Sequence, residues 1–158
     1  MIARAITVAV ALAAAGVAGC GSNRDAGVPG GADPDAVRVI RQWVDELRAG
    51  DVQAASDRFA IPAIVANGTP ALRLTDRPEV VQFNESLPCG AKLTRAEPSG
   101  RFVIATFVLT ERPGPGTCGA GVGQTARTAF VIHDGKITEW RRVADQAPAP
   151  PPGTGPIV

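Results

Sequence analysis

The stretch RFVIATFVLTER (residues 101–112) has the two-residue alternation of a β-strand. One face would carry only apolar side chains, namely Val103, Ala105, Phe107 and Leu109. The other would carry three more apolar side chains and two threonines, namely Phe102, Ile104, Val108, Thr106 and Thr110. A strand with one wet face alternates more cleanly, so this composition favours a strand covered on both faces. The β propensity of apolar residues explains the same composition, and that alternative stays open.

Three neighbouring segments share this extended character: AKLTRAEP (91–98), QTARTAFVIHD (124–134) and KITEWRRV (136–143). Asp134-Gly135 is a two-residue hairpin signal between the last two segments. The four segments therefore predict an antiparallel meander. Earlier in the chain, AIVAN (63–67) and ALRL (71–74) flank the turn signal Asn67-Gly68 and predict a short hairpin.

Two helices are predicted at the start of the domain. The first has Asp33 as its N-cap and ends at Gly50, with apolar residues at helical spacing between them. The second, VQAASDRFA (52–60), is capped by Asp51 and stopped by Pro62.

A third helix is predicted over residues 77–86, because Asp76 and Glu79 have the spacing of a capping box. The order of elements is therefore three helices with short strands among them, followed by the meander. This order predicts an α+β fold in which three N-terminal helices pack on a curved, mainly antiparallel sheet.

The N-terminal stretch MIARAITVAVALAAAGVAG (1–19) has the positive residue and the short apolar run of a signal peptide. The four residues that end at Cys20, Val-Ala-Gly-Cys, resemble a bacterial lipobox. This resemblance implies cleavage after Gly19, a diacylglycerol on the Cys20 thiol, and anchoring on the extracytoplasmic side of the cell membrane. An ordinary secretory signal with an incidental cysteine is the alternative.

Composition divides the rest of the chain into three parts. Residues 20–32 are Gly-rich and polar and predict a flexible tether, and residues 145–158 are Pro-rich and predict a disordered tail. The folded domain is expected over 33–144.

The net charge of +1, from 16 basic and 15 acidic residues, gives no electrostatic footprint for nucleic acid. In an exported protein the remaining cysteines, Cys89 and Cys118, are expected to form a disulfide.

Three segments carry a resemblance to the nuclear transport factor 2-like superfamily, also described as SnoaL-like or cystatin-like cone folds: WVDELRAGDVQAASDRFA (43–60), TDRPEVVQFNESL (75–87) and FVIHDGKITEW (130–140). The resemblance implies a cone that encloses an apolar pocket, and a homodimer packed through the sheet. Members of the superfamily include isomerases, dehydratases and cyclases, as well as binding domains without catalysis. This chain departs from the usual pattern at Ile61-Pro62-Ala63, in its cysteine pair and in its long Gly/Pro loop.

Eight residues are candidates for the pocket: Trp43, Asp57, Phe83, Phe107, His133, Glu139, Trp140 and Arg141. Asn84 and Glu85 are further polar residues that could reach it. For each polar candidate, a solvated helix face, a turn or a surface ion pair is the alternative. The chain has no Tyr and one His, so no catalytic residue and no metal site is assigned. GPGTCG (114–119) matches a dinucleotide motif literally, but no helix follows it, so no cofactor is expected.

These observations predict a membrane-anchored lipoprotein whose cone domain binds an apolar small molecule or an envelope protein without catalysis. The alternative is a lipid-anchored enzyme of the isomerase, dehydratase or cyclase type that uses an acid in the pocket. A third interpretation is an accessory domain whose cone is filled by its own side chains. A ligand site usually needs a cavity of about 300 Å³ or more.

Overall fold

The structure is a computed structural model that describes residues 29–68 and 70–144. The signal peptide 1–19, Cys20, most of the tether 20–32 and the tail 145–158 lie outside the described residues. Their predicted roles stay predictions.

Three helices and six strands make up the fold. The helices are α1 (Pro34–Ala49), α2 (Val52–Asp57) and α3 (Arg77–Glu85). The strands are β1 (Phe59–Ala66), β2 (Leu72–Leu74), β3 (Gly90–Ser99), β4 (Phe102–Thr110), β5 (Thr125–His133) and β6 (Lys136–Val143). The prediction of an α+β fold with three helices on a curved, mainly antiparallel sheet is confirmed.

Local capping chemistry sets the helix ends. Asp33 accepts hydrogen bonds from the backbone N–H groups of Asp35 and Ala36, and Gly50 ends α1 with a φ of 84°. Asp76 accepts from the backbone N–H of Glu79 at the start of α3. Each of these interactions lies within one turn of sequence, which is why the caps could be recognised from the sequence.

A single six-stranded sheet has the order β2-β1-β6-β5-β4-β3. All neighbouring strands are antiparallel except β1 and β6, which are parallel. The predicted meander corresponds to β3 to β6. The sequence analysis did not predict that β1 joins the far side of β6, because that pairing connects segments more than 70 residues apart in the chain.

The predicted second helix needs a correction. It ends at Asp57 and not at residue 60, and the chain enters β1 at Phe59. Pro62 therefore lies inside a strand and does not stop the helix. The aromatic ring of Phe59 is buried in the core, so the segment continues as a strand against β6.

The core lies between α1 and the concave face of the sheet. One stripe of α1 is buried, with Ile40, Trp43, Val44 and Leu47 at helical spacing. Four aromatic rings surround Trp43 with centroids 5.5–6.5 Å away, all edge to face: Phe59, Phe107, Phe130 and Trp140. This cluster sets the inner wall of the cone.

The predicted disulfide is confirmed. Cys89 and Cys118 are bonded, with their Cα atoms 4.5 Å apart. The bond ties the turn after α3 to the loop between β4 and β5. Glu111 holds the same loop, because its carboxylate accepts from the backbone N–H groups of Cys118 and Gly119, each at 3.0 Å.

The described part of the predicted tether contacts the domain. The carbonyl oxygen of Pro29 accepts a hydrogen bond of 3.0 Å from the backbone N–H of Ala96 in β3. A Cβ atom on Gly30 would lie 1.9 Å from the oxygen of Ala96, so only glycine fits this approach. Since β3 is an edge strand, the chain reaches the domain along the edge of the sheet.

Candidate functional site

A cavity of about 250 Å³ lies between α1 and the concave face of the sheet. Helix α1 contributes Trp43, Val44 and Leu47 to its wall. The loops and strands contribute the rest: Asn67, Leu87, Pro88, Cys89, Ala91, Phe107, Leu109, Ala126, Thr128, Trp140 and Arg142. The wall is mostly apolar, so the cone is not completely filled by its own side chains.

The register of β5 and β6 brings the polar groups of the cavity together. Thr128 and Arg142 are directly opposite each other across the two strands, and Phe130 is opposite Trp140. Arg142 is two residues after Trp140, so both side chains lie on the same face of β6. Opposite residues on one face have Cβ atoms about 5 Å apart, so Thr128, Trp140 and Arg142 form one cluster.

The two tryptophans of the cavity wall differ in their hydrogen bonding. The Nε1–H of Trp43 donates to Oδ1 of Asn84 at 2.9 Å. The Nε1–H of Trp140 is buried and has no acceptor among the described residues. Trp140 is only 4% exposed, so bulk water does not solvate this donor freely.

Three of the eight pocket candidates, Trp43, Phe107 and Trp140, line the cavity. Phe83 lies behind the wall, with its ring centroid 5.1 Å from that of Trp140 and 5.9 Å from that of Phe59. It therefore supports the wall and does not form it.

Glu139 and Arg141 lie away from the cavity, on the outer face of the sheet. They flank Trp140 in β6, and side chains one residue apart in a strand point to opposite faces. Glu139 is buried on that outer face by two arginines. Its carboxylate makes an ion pair with Arg101 at 2.7 Å and a second ion pair with Arg141.

His133 and Asp57 are also placed outside the cavity. His133 is exposed at the end of β5, with its Nδ1 3.3 Å from the carboxylate of Asp134. Asp57 is exposed at the end of α2, where its carboxylate pairs with Arg77 and its carbonyl oxygen accepts from Lys136. Both residues make their contacts at the surface of the domain.

The side chain of Asn84 is fully buried and is hydrogen-bonded within the protein. Its amide donates to the carbonyl of Val80 at 3.0 Å and to Oγ of Ser56 at 3.3 Å, in addition to accepting from Trp43. This side chain links α1, α2 and α3. Glu85 is exposed near the end of α3 and does not line the cavity.

Arg112 is a buried residue that the sequence analysis did not single out. Its guanidinium donates to the carbonyls of Asn84, Glu85 and Leu87 at 3.2, 3.1 and 2.8 Å. These bonds give partners to carbonyl groups at the C-terminal end of α3, which have no acceptor role within the helix. The helix dipole favours a cation at the same end. Burial lowers the pKa of this guanidinium below its ordinary value.

Thr128 and Arg142 are the cavity residues that sequence reasoning missed. The alternation of side chains along β5 and β6 is the sequence feature that could have identified them. Once Trp140 is assigned to the concave face, Arg142 follows two residues later, and the hairpin register then places Thr128 opposite it.

The chemical character of the cavity follows from its lining. Among the described residues that line it there is no Asp, Glu, His, Lys or Tyr. The polar groups are the indole of Trp140, the hydroxyl of Thr128, the guanidinium of Arg142 and the amide of Asn67. Over residues 29–68 and 70–144, no group of side chains has the composition of a metal site. Within the same residues, no helix has the length and apolar character needed to cross a bilayer.

The outer face of the sheet is partly apolar. On β4 it carries Phe102, Ile104 and Val108, all half-buried within the single chain. The alternation predicted for this strand is confirmed, because Ala105 and Phe107 are buried on the opposite face. The homodimer through the outer face, implied by the family resemblance, stays a prediction.

The described residues form a single α+β domain whose helices close a curved sheet into a cone. Comparison with solved structures then shows that the chain has the nuclear transport factor 2-like fold, which confirms the predicted resemblance at the level of the fold. No protein-family model matches the chain, and no curated protein is significantly similar to it in sequence.

Three solved structures illustrate the likeness. A candidate ketosteroid isomerase from Kribbella flavida superposes with a TM-score of 0.55 at 18% identity, over 75% of this chain and 84% of that chain. A candidate polyketide cyclase from Sinorhizobium meliloti gives 0.52 at 18% identity, over 67% and 94%. A nuclear transport factor 2-like protein of unknown function from Cytophaga hutchinsonii gives 0.52 at 12% identity, over 68% and 87%. At these identities the likeness shows the fold alone.

Proposed function

We propose that this chain is a lipid-anchored, extracytoplasmic binding protein whose cone holds a small apolar molecule without transforming it. The observation that carries the proposal is the cavity of about 250 Å³ with a mostly apolar wall. Drug-sized ligands occupy pockets of about 300–1,000 Å³, so the ligand that fits this cone is smaller than those.

The composition of the lining is a second observation in support of binding. An isomerase, dehydratase or cyclase needs a group that gives or takes a proton within hydrogen-bond reach of the substrate. The carboxylates and the imidazole considered in the sequence, Asp57, His133 and Glu139, lie outside the cavity. This arrangement supports binding over the alternative of a lipid-anchored enzyme.

Membrane anchoring through Cys20 belongs to the same proposal. Its support is the lipobox-like sequence at the end of the apolar run. An envelope protein is the alternative partner, and the partly apolar outer face of β4 is the surface that such a partner would contact.

Small-molecule binding can be tested on residues 20–158 carrying Cys20→Ser, a form that contains every described residue. The chain has two tryptophans, and both line the cavity, so their fluorescence reports directly on occupancy. We expect apolar molecules of about ten non-hydrogen atoms to change the emission and raise the melting temperature.

A matched pair of variants locates the binding site. Ala126→Leu places a larger side chain on the cavity wall and should abolish the fluorescence response. Ala129→Leu changes the opposite face of the same strand and should leave the response intact. If no apolar molecule binds, or if both variants respond alike, the proposal is wrong. Conversion of the added molecule to a product would favour the enzyme.

A further inference from the structure

The outer face of the sheet carries an excess of positive charge. The strand register and the alternation of side chains show which residues of the strands lie on this face. Its charged side chains, including one from the turn between β3 and β4, are the cations Arg73, Lys92, Arg95, Arg101, Arg127 and Arg141 and the carboxylates Glu97 and Glu139. Six cations against two carboxylates give the face a net charge of +4.

Each carboxylate of this face already interacts with two of its cations. Glu139 makes ion pairs with Arg101 and Arg141. Glu97 accepts a hydrogen bond of 2.7 Å from Arg95, which lowers the pKa of its carboxyl, and the charge of Arg127 acts in the same direction. The excess positive charge is therefore not balanced by the described residues of this face.

The helices on the opposite side of the domain have the reverse charge. Residues 33–57 and 76–85, which form the helices with their N-caps, contain nine acidic and four basic side chains. Five of these acidic side chains are fully exposed: Asp35, Asp45, Asp51, Asp57 and Glu85. The domain is thus electrically polarised between its two layers. An anionic surface would attract the sheet, repel the helices and so orient the domain.

The cations are spread over the whole width of the sheet. Arg73 lies on β2 at one edge, and Lys92 lies on β3 at the other edge. Because neighbouring strands are about 4.8 Å apart, these two edges are separated by roughly 24 Å. Phe102, Ile104 and Val108 lie between them and are half-buried. Charge distributed over such an area fits a bilayer surface, whereas an acidic peptide segment would contact a single row of cations.

We propose that the outer face of the sheet is an electrostatic docking surface for a bilayer that contains anionic phospholipid. The cations of the face contact lipid phosphates, and the helices point away from the bilayer. A second copy of this chain is a less suitable occupant, because two such faces would bring like charges together. The inference goes beyond the binding cone and does not use the cavity. The proposed lipid on Cys20 would hold the domain near the bilayer, and the charged face would set its orientation there.

Vesicle cosedimentation tests the docking. The protein is residues 20–158 carrying Cys20→Ser, so the proposed anchor cannot contribute. It is mixed at low ionic strength with vesicles of phosphatidylcholine alone or with about one-third phosphatidylglycerol. We expect at least tenfold tighter binding to the anionic vesicles, because each Lys or Arg near an anionic surface strengthens binding about fivefold. Raising the NaCl concentration to about 0.5 M should remove most of this difference.

Two double variants with equal net charge locate the surface. Arg73→Gln combined with Lys92→Gln removes two charges from the outer face and should weaken binding to the anionic vesicles at least fivefold. Arg38→Gln combined with Arg41→Gln removes two charges from α1 and should weaken it less than about twofold. All four side chains are at least partly exposed, so both variants should fold, and thermal unfolding checks this.

Several outcomes would overturn the proposal. Equal effects of the two double variants would mean that binding follows the net charge and not this face. Equal binding to both vesicle types, or a preference that persists in high salt, would exclude electrostatic docking. Binding of poly-L-glutamate without binding of vesicles would identify an acidic protein as the partner. A dimer in sedimentation velocity that Ile104→Lys dissociates would show that a second copy covers the face. Each of these outcomes leaves the proposed small-molecule binding in place, because the cavity lies on the other face of the sheet.

Discussion

The indole N–H of Trp43 donates to the amide oxygen of Asn84 across 2.9 Å, and both side chains are buried. This bond connects the middle of α1 to the last turn of α3. It also fixes the orientation of a ring that forms part of the cavity wall. A polar residue considered as a pocket candidate therefore acts behind the wall, as a support.

Replacing Asn84 tests this support. We expect Asn84→Ala to lower the free energy of unfolding by about 2–4 kcal/mol, because it leaves the Trp43 donor unpaired and removes buried volume. Chemical denaturation measures the change. Gln82→Ala, at an exposed position of the same helix, should cost less than about 0.5 kcal/mol. Equal effects at the two positions would contradict the assignment.

Arg112 should stabilise the C-terminal end of α3 through its hydrogen bonds to carbonyl groups there. Arg112→Met keeps much of the buried aliphatic stem but removes the donors to three carbonyls, so we expect a loss of about 1–3 kcal/mol in unfolding free energy. Arg73→Met, at an exposed position of β2, is the control and should be nearly neutral. A stable Arg112→Met variant would mean that the cost of burying the charge equals what its hydrogen bonds contribute.

The disulfide should stabilise the fold because it closes a loop and thereby restricts the unfolded chain. Replacing both Cys89 and Cys118 by Ala should lower the unfolding free energy by about 3–4 kcal/mol, the entropy expected for closing a loop of this size. In the Cys20→Ser background, a thiol assay should find none before reduction under denaturing conditions and two after it. Two free thiols in the unreduced protein would contradict the bond.

Glu79 should make stability depend on acid pH. The backbone N–H and hydroxyl of Thr75 donate to its carboxylate at 2.6 and 3.1 Å, and these bonds lower the pKa of Glu79 below its ordinary 4.5. The folded chain then binds this proton less readily than the unfolded chain. The stabilisation is present above pH 4.5 and is lost as the pH falls through the lowered pKa.

Denaturation of Glu79→Gln between pH 7 and pH 3 checks this sign. The stability difference from the parent should be largest at neutral pH and should shrink as the pH falls. Glu85→Gln, at the other end of α3, serves as the matched carboxylate control. A difference that grows towards low pH would refute the expected direction.

Cys20 should decide where the protein resides. We expect Cys20→Ala to release the protein from the membrane fraction and to abolish the mass added by a lipid. The double replacement of Cys89 and Cys118 should leave the membrane fraction unchanged. Continued membrane retention of Cys20→Ala, with no change in mass, would count against the anchor.

The helix ends and the meander could be predicted because their signals are local. The cap at Asp33, the capping box at Asp76 and the Asp134-Gly135 turn each act over a few residues. The parallel pairing of β1 with β6 could not be predicted in this way. It depends on the closure of the whole cone, and nothing within residues 59–66 specifies the partner.

Sequence analysis identified several apolar residues of the cavity wall. The polar residues that it assigned to the cavity lie elsewhere. Trp43, Phe107 and Trp140 were identified because large aromatic side chains in a small domain are buried. Glu139 and Arg141 were chosen for their chemistry, although the alternation of β6 places them opposite Trp140. Applying that alternation strictly would have selected Arg142.

If Cys20 carries the predicted lipid, the contact between Pro29 and Ala96 limits the distance between the domain and the bilayer. The described chain leaves β3 at Pro29, nine peptide units after Cys20. Fully extended, those units span roughly 30 Å, about the thickness of the hydrocarbon core of a membrane. With the predicted lipid on Cys20, the domain would therefore lie within roughly 30 Å of the bilayer surface.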